Sequence, residues 1–470
     1  MPTRRISAVI LPLLLLAACT LADTFRLGRE DQGEGQEGQY EVALEDDHYL
    51  ILDALPERTP LECPALESPF ITDLEIHQGQ DIPEPEPRVP FQDPVYGTCL
   101  IRVTDRESDP LNPGDPSRGL KNEYARVQSF NADESLLLVR SSESFWYVYD
   151  AHTLQLLGEV PAYVEPRWDA ENPTLLYFTE ETRLLSYDIQ TGEQDLVRDF
   201  AADVPGEDLA AVWTRHEGSP SFDTRWWGFV AQDQDWEAAA FLVHDLRLDQ
   251  VSVRVLPRSY SIDHVTISPL GSYFLASFDN YCSRGQLGTD ADPCGFMVYD
   301  RGLENGRGLL RIIGHYDTAL DATGKEVVVY QDIDTDQIAL LDLESGKITP
   351  LLPIDFSHTA IGFHFSGRAS NLPGWALVST YNGGRPRAYT WMDDVVFALE
   401  LKPGGRVVRL AETHSLYDES VEKDYWAEPH ASVNRDFTRI LFTSNWGRTG
   451  TEEIDLYLVV LPAGWAEDLP

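Results

Sequence analysis

The apolar positions of this chain recur as short strand-like runs, without the long helical stripes of an α-protein. One set of runs is Ser135–Ser141 (SLLLVRS), Thr174–Glu180 (TLLYFTE), Trp226–Gln232 (WWGFVAQ) and Ser272–Phe278 (SYFLASF). It continues with Glu326–Asp332 (EVVVYQD), Trp375–Tyr381 (WALVSTY) and Arg439–Asn445 (RILFTSN), the starts lying 39, 52, 46, 54, 49 and 64 residues apart. Each is followed by a further strand pattern: WYVYD, LLSYD, FLVHD, FMVYD, IALLD, VVFALE and LYLVVL. Six of the seven then carry another: QLLGEV, DLVRDF, VSVRVL, LLRIIG, ITPLLP and VVRLAE. Strands this continuously apolar are buried on both faces. Self-similarity at intervals of this kind marks a repeat fold. With a shorter strand leading into each unit, the pattern predicts an all-β, seven-bladed β-propeller of four-stranded blades over residues 119–465. Two separate β-sandwiches are the other way to house so many strands.

The seventh unit runs out of chain before its fourth strand, and an open ring would expose sheet edges. The isolated pattern Thr98–Thr104 (TCLIRVT) is expected to supply that strand, closing the last blade from the N-terminal side. Residues 48–118 thus form a lead-in containing the closing strand, 98–104, and residues 19–47 form an acidic tether.

The first residues carry a different signal. Arg4 and Arg5 precede the apolar stretch Ile6–Leu16, too short to remain as a membrane span, and Leu16-Ala17-Ala18-Cys19 follows. This reads as a signal peptide over residues 1–18. Its end resembles the lipobox of bacterial lipoproteins, which implies cleavage before Cys19 and a lipid anchor there. Thr20, in place of an Asp, points to the outer membrane. An exported chain with four further cysteines is expected to form two disulfides. Cys282 and Cys294 flank a Gly- and Asp-rich loop of eleven residues and are paired, which leaves Cys63 for Cys99.

A formal net charge of −42 excludes nucleic acid as a partner, because such a surface repels phosphate backbones. It also opposes polyanionic ligands unless the site is locally basic. The loops leading into the inner strands are polar, and they carry Arg167 and Trp168 in unit two, His264 in unit four, His315 in unit five, His364 in unit six, and Glu428 and His430 in unit seven. Equal phase in a ring fold means convergence on the axis. Four imidazoles with Glu428 and Asp317 suit one divalent metal, zinc or manganese, and equally suit acid–base work near neutral pH. Loops on the same face add Tyr381, Arg387, Tyr389, Trp391, Trp446 and Arg448, flat rings and guanidinium groups fit for an acidic sugar. Asp332–Asp336 and the loop 286–293 resemble calcium loops, but Gln337 and Leu343 stand where an EF-hand requires Gly and Glu.

Glu428–Gly447 (EPHASVNRDFTRILFTSNWG) resembles the repeat of TolB-like propellers, with Asn434-Arg435-Asp436 at a turn where that repeat carries Gly. Asp93–Thr104 together with the His-bearing units resembles the seven-bladed oligogalacturonate and ulvan lyases. The resemblance implies β-elimination on a uronate glycan, with His264 or His315 as base, Tyr389 or Tyr381 as acid, and Arg167 or Arg387 on the carboxylate. Oligogalacturonate lyases hold manganese through a Gln-x-x-His-x-His pattern that this chain lacks; Glu428-Pro429-His430 stands nearest, with His364 as a further ligand. The expected partners are a membrane through lipidated Cys19 and either an acidic polysaccharide or an envelope protein docked by a non-catalytic propeller. The expected state is a monomer.

Overall fold

The structure, a computed structural model, describes residues 60–469 apart from 67–68, 78–81, 113, 116, 163, 383–389, 419 and 468. Cys19, Arg387 and Tyr389 lie outside the described residues, as do the signal peptide and tether. Six four-stranded antiparallel sheets and one five-stranded sheet make up seven blades. The second strand of each blade falls where the sequence pattern places it: Leu136–Ser141, Leu175–Glu180, Trp226–Asp233, Tyr273–Phe278, Glu326–Asp332, Trp375–Asn382 and Arg439–Ser444.

Alternation explains why these strands are buried on both faces. In blade five, Val327 and Val329 pack toward blade six while Val328 and Tyr330 pack toward blade four. Seven apolar clusters result, one at each junction between neighbouring blades. The core is therefore a ring of sheet-on-sheet interfaces around an axis.

The ring closes as the sequence requires. Cys99–Arg102 pairs antiparallel with Asp455–Val460, Leu100 opposite Val459, and Phe91–Gln92 adds an outer strand that the sequence pattern missed. Asp455 is fully buried at the seam. It accepts from Thr104 Oγ1 at 2.8 Å and pairs with Arg102 at 2.9 Å and with Arg106. Disulfides join Cys63 to Cys99 and Cys282 to Cys294, the first clamping the lead-in to the closing strand.

Two local departures have physical causes. The outer strand of blade four is Arg307–Leu310, ending short of the predicted LLRIIG, because the Arg311 carbonyl turns to accept from Cys282 N at 2.9 Å. At the turn 434–436 the missing glycine is replaced by a left-handed Phe437 at φ 59°. Asn434 Oδ1 holds that turn by accepting from Thr438 and Arg439 backbone N–H groups.

Candidate functional site

The innermost strands are Leu120–Lys121, Val164–Trp168, Leu209–Trp213, Ile262–Ile267, Tyr316–Leu320, Ile361–Ser366 and Ser432–Val433. The first of these is interrupted. After Lys121 the chain leaves the ladder and regains it only at the Phe130–Leu137 bridge. The excursion delivers Lys121, Glu123, Tyr124 and Arg126, all buried or nearly so, to the axis.

Three histidines from successive blades meet there. The His315 and His364 ring centres are 4.8 Å apart, and those of His364 and His430 are 4.3 Å apart. Glu428 Oε2 lies 3.2 Å from His364 Nε2 and 3.5 Å from His430 Nε2. Tyr124 packs against His364 and His430, and its hydroxyl lies 3.2 Å from His315 Nδ1. Tyr381 stacks on the other side of His364, its ring centre 5.4 Å away. His264 joins through Arg126, whose Nη1 is 2.5 Å from His264 Nε2. The Arg126 guanidinium lies over both Tyr124 and Tyr316, 4.9 and 5.0 Å from the ring centres.

The hydrogen bonds fix one tautomer. Arginine only donates, so His264 Nε2 is the accepting nitrogen, and Nδ1 carries the proton donated to Asp263 at 2.9 Å. Tyr316 Oη also lies 2.7 Å from Nε2. Burial works against ionised Asp263, yet His264 and Arg126 hold its carboxyl well below the usual range.

Burial dominates the rest of the cluster. It lowers His315 and His364 to about 3 and lowers His430 well below the ordinary imidazole value, so all three rings are neutral. It pushes Glu428 up to about 7, against the pull of His315 and Lys121, and lowers Lys121 to about 7. Both ring nitrogens of His364 and of His430 lack a hydrogen-bond partner among the described residues. Leaving such groups buried and unmet costs ~1–3 kcal/mol each. Neutral imidazole nitrogens and a carboxylate oxygen are the donors a zinc- or manganese-type ion takes. His364, Glu428 and His430 form the one group of potential ligands found within mutual reach among the described residues, their donor atoms all within 4.8 Å. The donor set fits a divalent cation. Arg215, His216 and Glu217, with φ of 57°, 74° and 58°, and His430, with 43°, are among the left-handed residues of the chain.

Other sequence candidates have structural engagements. Arg167 is buried, pairs with Glu123 at 2.5 Å and donates to the Gly218 carbonyl. Trp168 is in the core between blades one and two and donates to the Ser129 carbonyl. Trp391 packs edge-on against Phe397. Trp446 stacks on Tyr457 and donates to the Ile82 carbonyl, and Arg448 pairs with Glu84. These contacts tie the residues to the lead-in and the blade junctions. Asp317, expected near the histidines, is spent on Arg368 at 2.7 Å. At the two calcium-like loops, Asp332 caps its own hairpin turn, Asp334 pairs with Arg311, and Asp290 pairs with Arg254 at 3.0 Å. Sequence reasoning left Lys121, Tyr124, Arg126, Asp263 and Tyr316 without roles, although each sits in or beside the polar loops it singled out.

No protein-family profile matches this sequence, and no curated protein matches it either. Solved structures do. An oligogalacturonate lyase in complex with manganese aligns with a TM-score of 0.57 at 16% identity, covering 85% of this chain and 98% of its own. An oligogalacturonate lyase from Vibrio parahaemolyticus aligns with a TM-score of 0.55 at 12% identity, covering 80% and 97%. At these identities the likeness is one of fold: the same seven-bladed ring over nearly the whole of both lyases.

Proposed function

We propose that this propeller is a lyase for uronate-containing polysaccharide, working at the axial histidine cluster with one divalent cation. The observation that carries the reading is the juxtaposition, in one buried cluster, of a cation donor set with orphaned nitrogens and an oriented base–guanidinium pair. Oligogalacturonate lyases sharing this ring support the substrate class.

His364, Glu428 and His430 would hold the cation, with His315 beside them. When bound, the cation supplies charge neutralisation at the uronate carboxylate. His264 Nε2 takes the proton from the carbon next to that carboxylate, with Asp263 fixing the ring as in other oriented bases. Arg126, donating to Nε2 in the free protein, redirects its N–H groups to the carboxylate as substrate arrives and frees Nε2. The electron pair left by the proton forms the new carbon–carbon double bond, the bond to the glycosidic oxygen breaks, and Tyr124 returns a proton to that oxygen. Tyr381, against His364, orders the cation side. The products are an unsaturated uronate and a new sugar hydroxyl, so no oxidant or reductant enters.

We further infer that the chain is exported and anchored through lipidated Cys19, most simply at the outer membrane. Its two disulfides suit an oxidising compartment. Mass spectrometry of the mature N-terminus tests this. A diacylglycerol on Cys19 supports it, and an intact Met1 overturns it.

The enzymatic reading is tested by incubating the protein with pectic, alginate-like and ulvan-like glycans in the presence of manganese. Appearance of an ultraviolet-absorbing unsaturated uronate, abolished by His264→Ala, is the expected result. No product from any of the three, with cation bound, overturns it in favour of a docking propeller.

A further inference from the structure

The histidines occupy the starts and middles of the innermost strands. A separate cavity of about 50 Å³ lies where those strands end, lined by Gln128, Arg167, Trp168, Ser219, Arg368 and Arg435 among others. Its position follows from topology. Arg368 comes two residues after the strand Ile361–Ser366, and Arg435 two after Ser432–Val433, so both sit on the far side of the ring from His315 and His430.

Three guanidinium groups reach this cavity, and no carboxylate lines it. Two are partly compensated from behind: Arg167 by Glu123 and Arg368 by Asp317. The pairing is incomplete at Arg167. Arg167 Nη2 is buried with no hydrogen-bond partner, on a side chain only 4% exposed. Arg435 donates to the carbonyls of Phe130 and Asn131 and makes no ion pair among the described residues. Burial lowers its pKa, with Glu134, Asp169 and Asp133 pulling the other way. A buried donor left unmet among three guanidinium groups is expensive, and on a molecule of net charge −42 it marks a place built for a counter-charge.

We propose that this second mouth of the channel binds a small oxyanion. Guanidinium forks match the geometry of carboxylate, phosphate and sulfate oxygens. The volume excludes a polysaccharide chain. One water requires ~10–15 Å³ of such space, so the cavity holds roughly three to five waters, the room a single oxyanion group takes. Inorganic anion and the terminal carboxylate of an acidic sugar share this chemistry. The site uses residues distinct from the cation ligands and the proposed base, so it stands whether or not the lyase reading does.

Thermal unfolding and calorimetry with sodium sulfate, phosphate and galacturonate, each against sodium chloride at equal ionic strength, test the proposal. Stabilisation by at least one oxyanion beyond chloride is expected, and which of the three binds best separates the sources. Arg435→Gln is expected to weaken that binding by at least tenfold. Because this variant also alters two backbone contacts, selenate soaked into crystals of the unaltered chain provides a second readout. An anomalous peak among Arg167, Arg368 and Arg435 supports the proposal. Identical responses to oxyanions and chloride, or selenate bound only elsewhere, overturn it.

Discussion

A buried imidazole is worth attention when both of its nitrogens are idle, and His364 and His430 meet that condition side by side. Removing a general base costs typically ~10²–10⁴ in turnover. His264→Ala is therefore expected to lower kcat in the uronate elimination assay by at least about a hundredfold while leaving manganese content unchanged. Asp263→Asn should shift the pH profile of kcat and also reduce it, because the His264 ring loses the charged carboxylate that fixes its tautomer. Equal, small effects from both would remove His264 from the chemistry. The sequence made the four histidines legible, because their shared phase in consecutive repeats survives as a pattern. It could not reveal Arg126 or Tyr124, which arrive through an interruption of the blade-one inner strand that has no counterpart in the repeat. Nor could it show that Arg167, Trp446 and Arg448 are engaged by Glu123, Ile82 and Glu84, partners far away along the chain.

Strands were read almost residue for residue where both faces are buried, as in Glu326–Asp332 and Trp375–Asn382. The pattern weakens at blade edges, where one face meets solvent or a loop takes over pairing; the shortened Arg307–Leu310 and the two-residue Phe91–Gln92 are such cases. The closing strand is the element on which the ring depends. Leu100 and Ile101 are 0% and 2% exposed, inserted into the clusters on either side of blade seven. Ile101→Ala should cost ~2–5 kcal/mol in denaturant unfolding, against less than ~0.5 kcal/mol for the exposed Leu196→Ala on the outer strand of blade two. Equal costs at the two positions would mean that the seam does not bear on stability.

At the scale of the whole molecule, charge and burial set the response to pH. Burial pushes Asp394 and Glu412 up to about 7, each reinforced by neighbouring carboxylates. A carboxyl raised in the folded state binds more protons folded than unfolded. Its stabilisation is present below the ordinary carboxyl range and is lost as pH climbs toward the raised value. Self-repulsion of a −42 chain acts in the same direction. Lys121, lowered to about 7, opposes them only above that value. Glu84 and Glu400, held near 2 against burial by Arg106 and Arg406 respectively, lose their contribution on the acid side. The histidines lowered by burial act the other way, their cost disappearing as pH rises through the ordinary imidazole range, so the melting temperature is expected to peak near ~pH 6.5 and to fall between ~pH 6.5 and ~pH 8, and a rise over that interval would contradict this balance.

The ring brings one set of potential cation donors together from blades six and seven, with His315 of blade five alongside. Manganese binding to the purified, metal-stripped chain, followed by electron paramagnetic resonance, measures this directly. The predicted result is one tightly bound ion per chain, lost in both His364→Ala and His430→Ala and retained in His264→Ala. Absence of a bound ion in the unaltered protein, or uptake indifferent to all three substitutions, would contradict it.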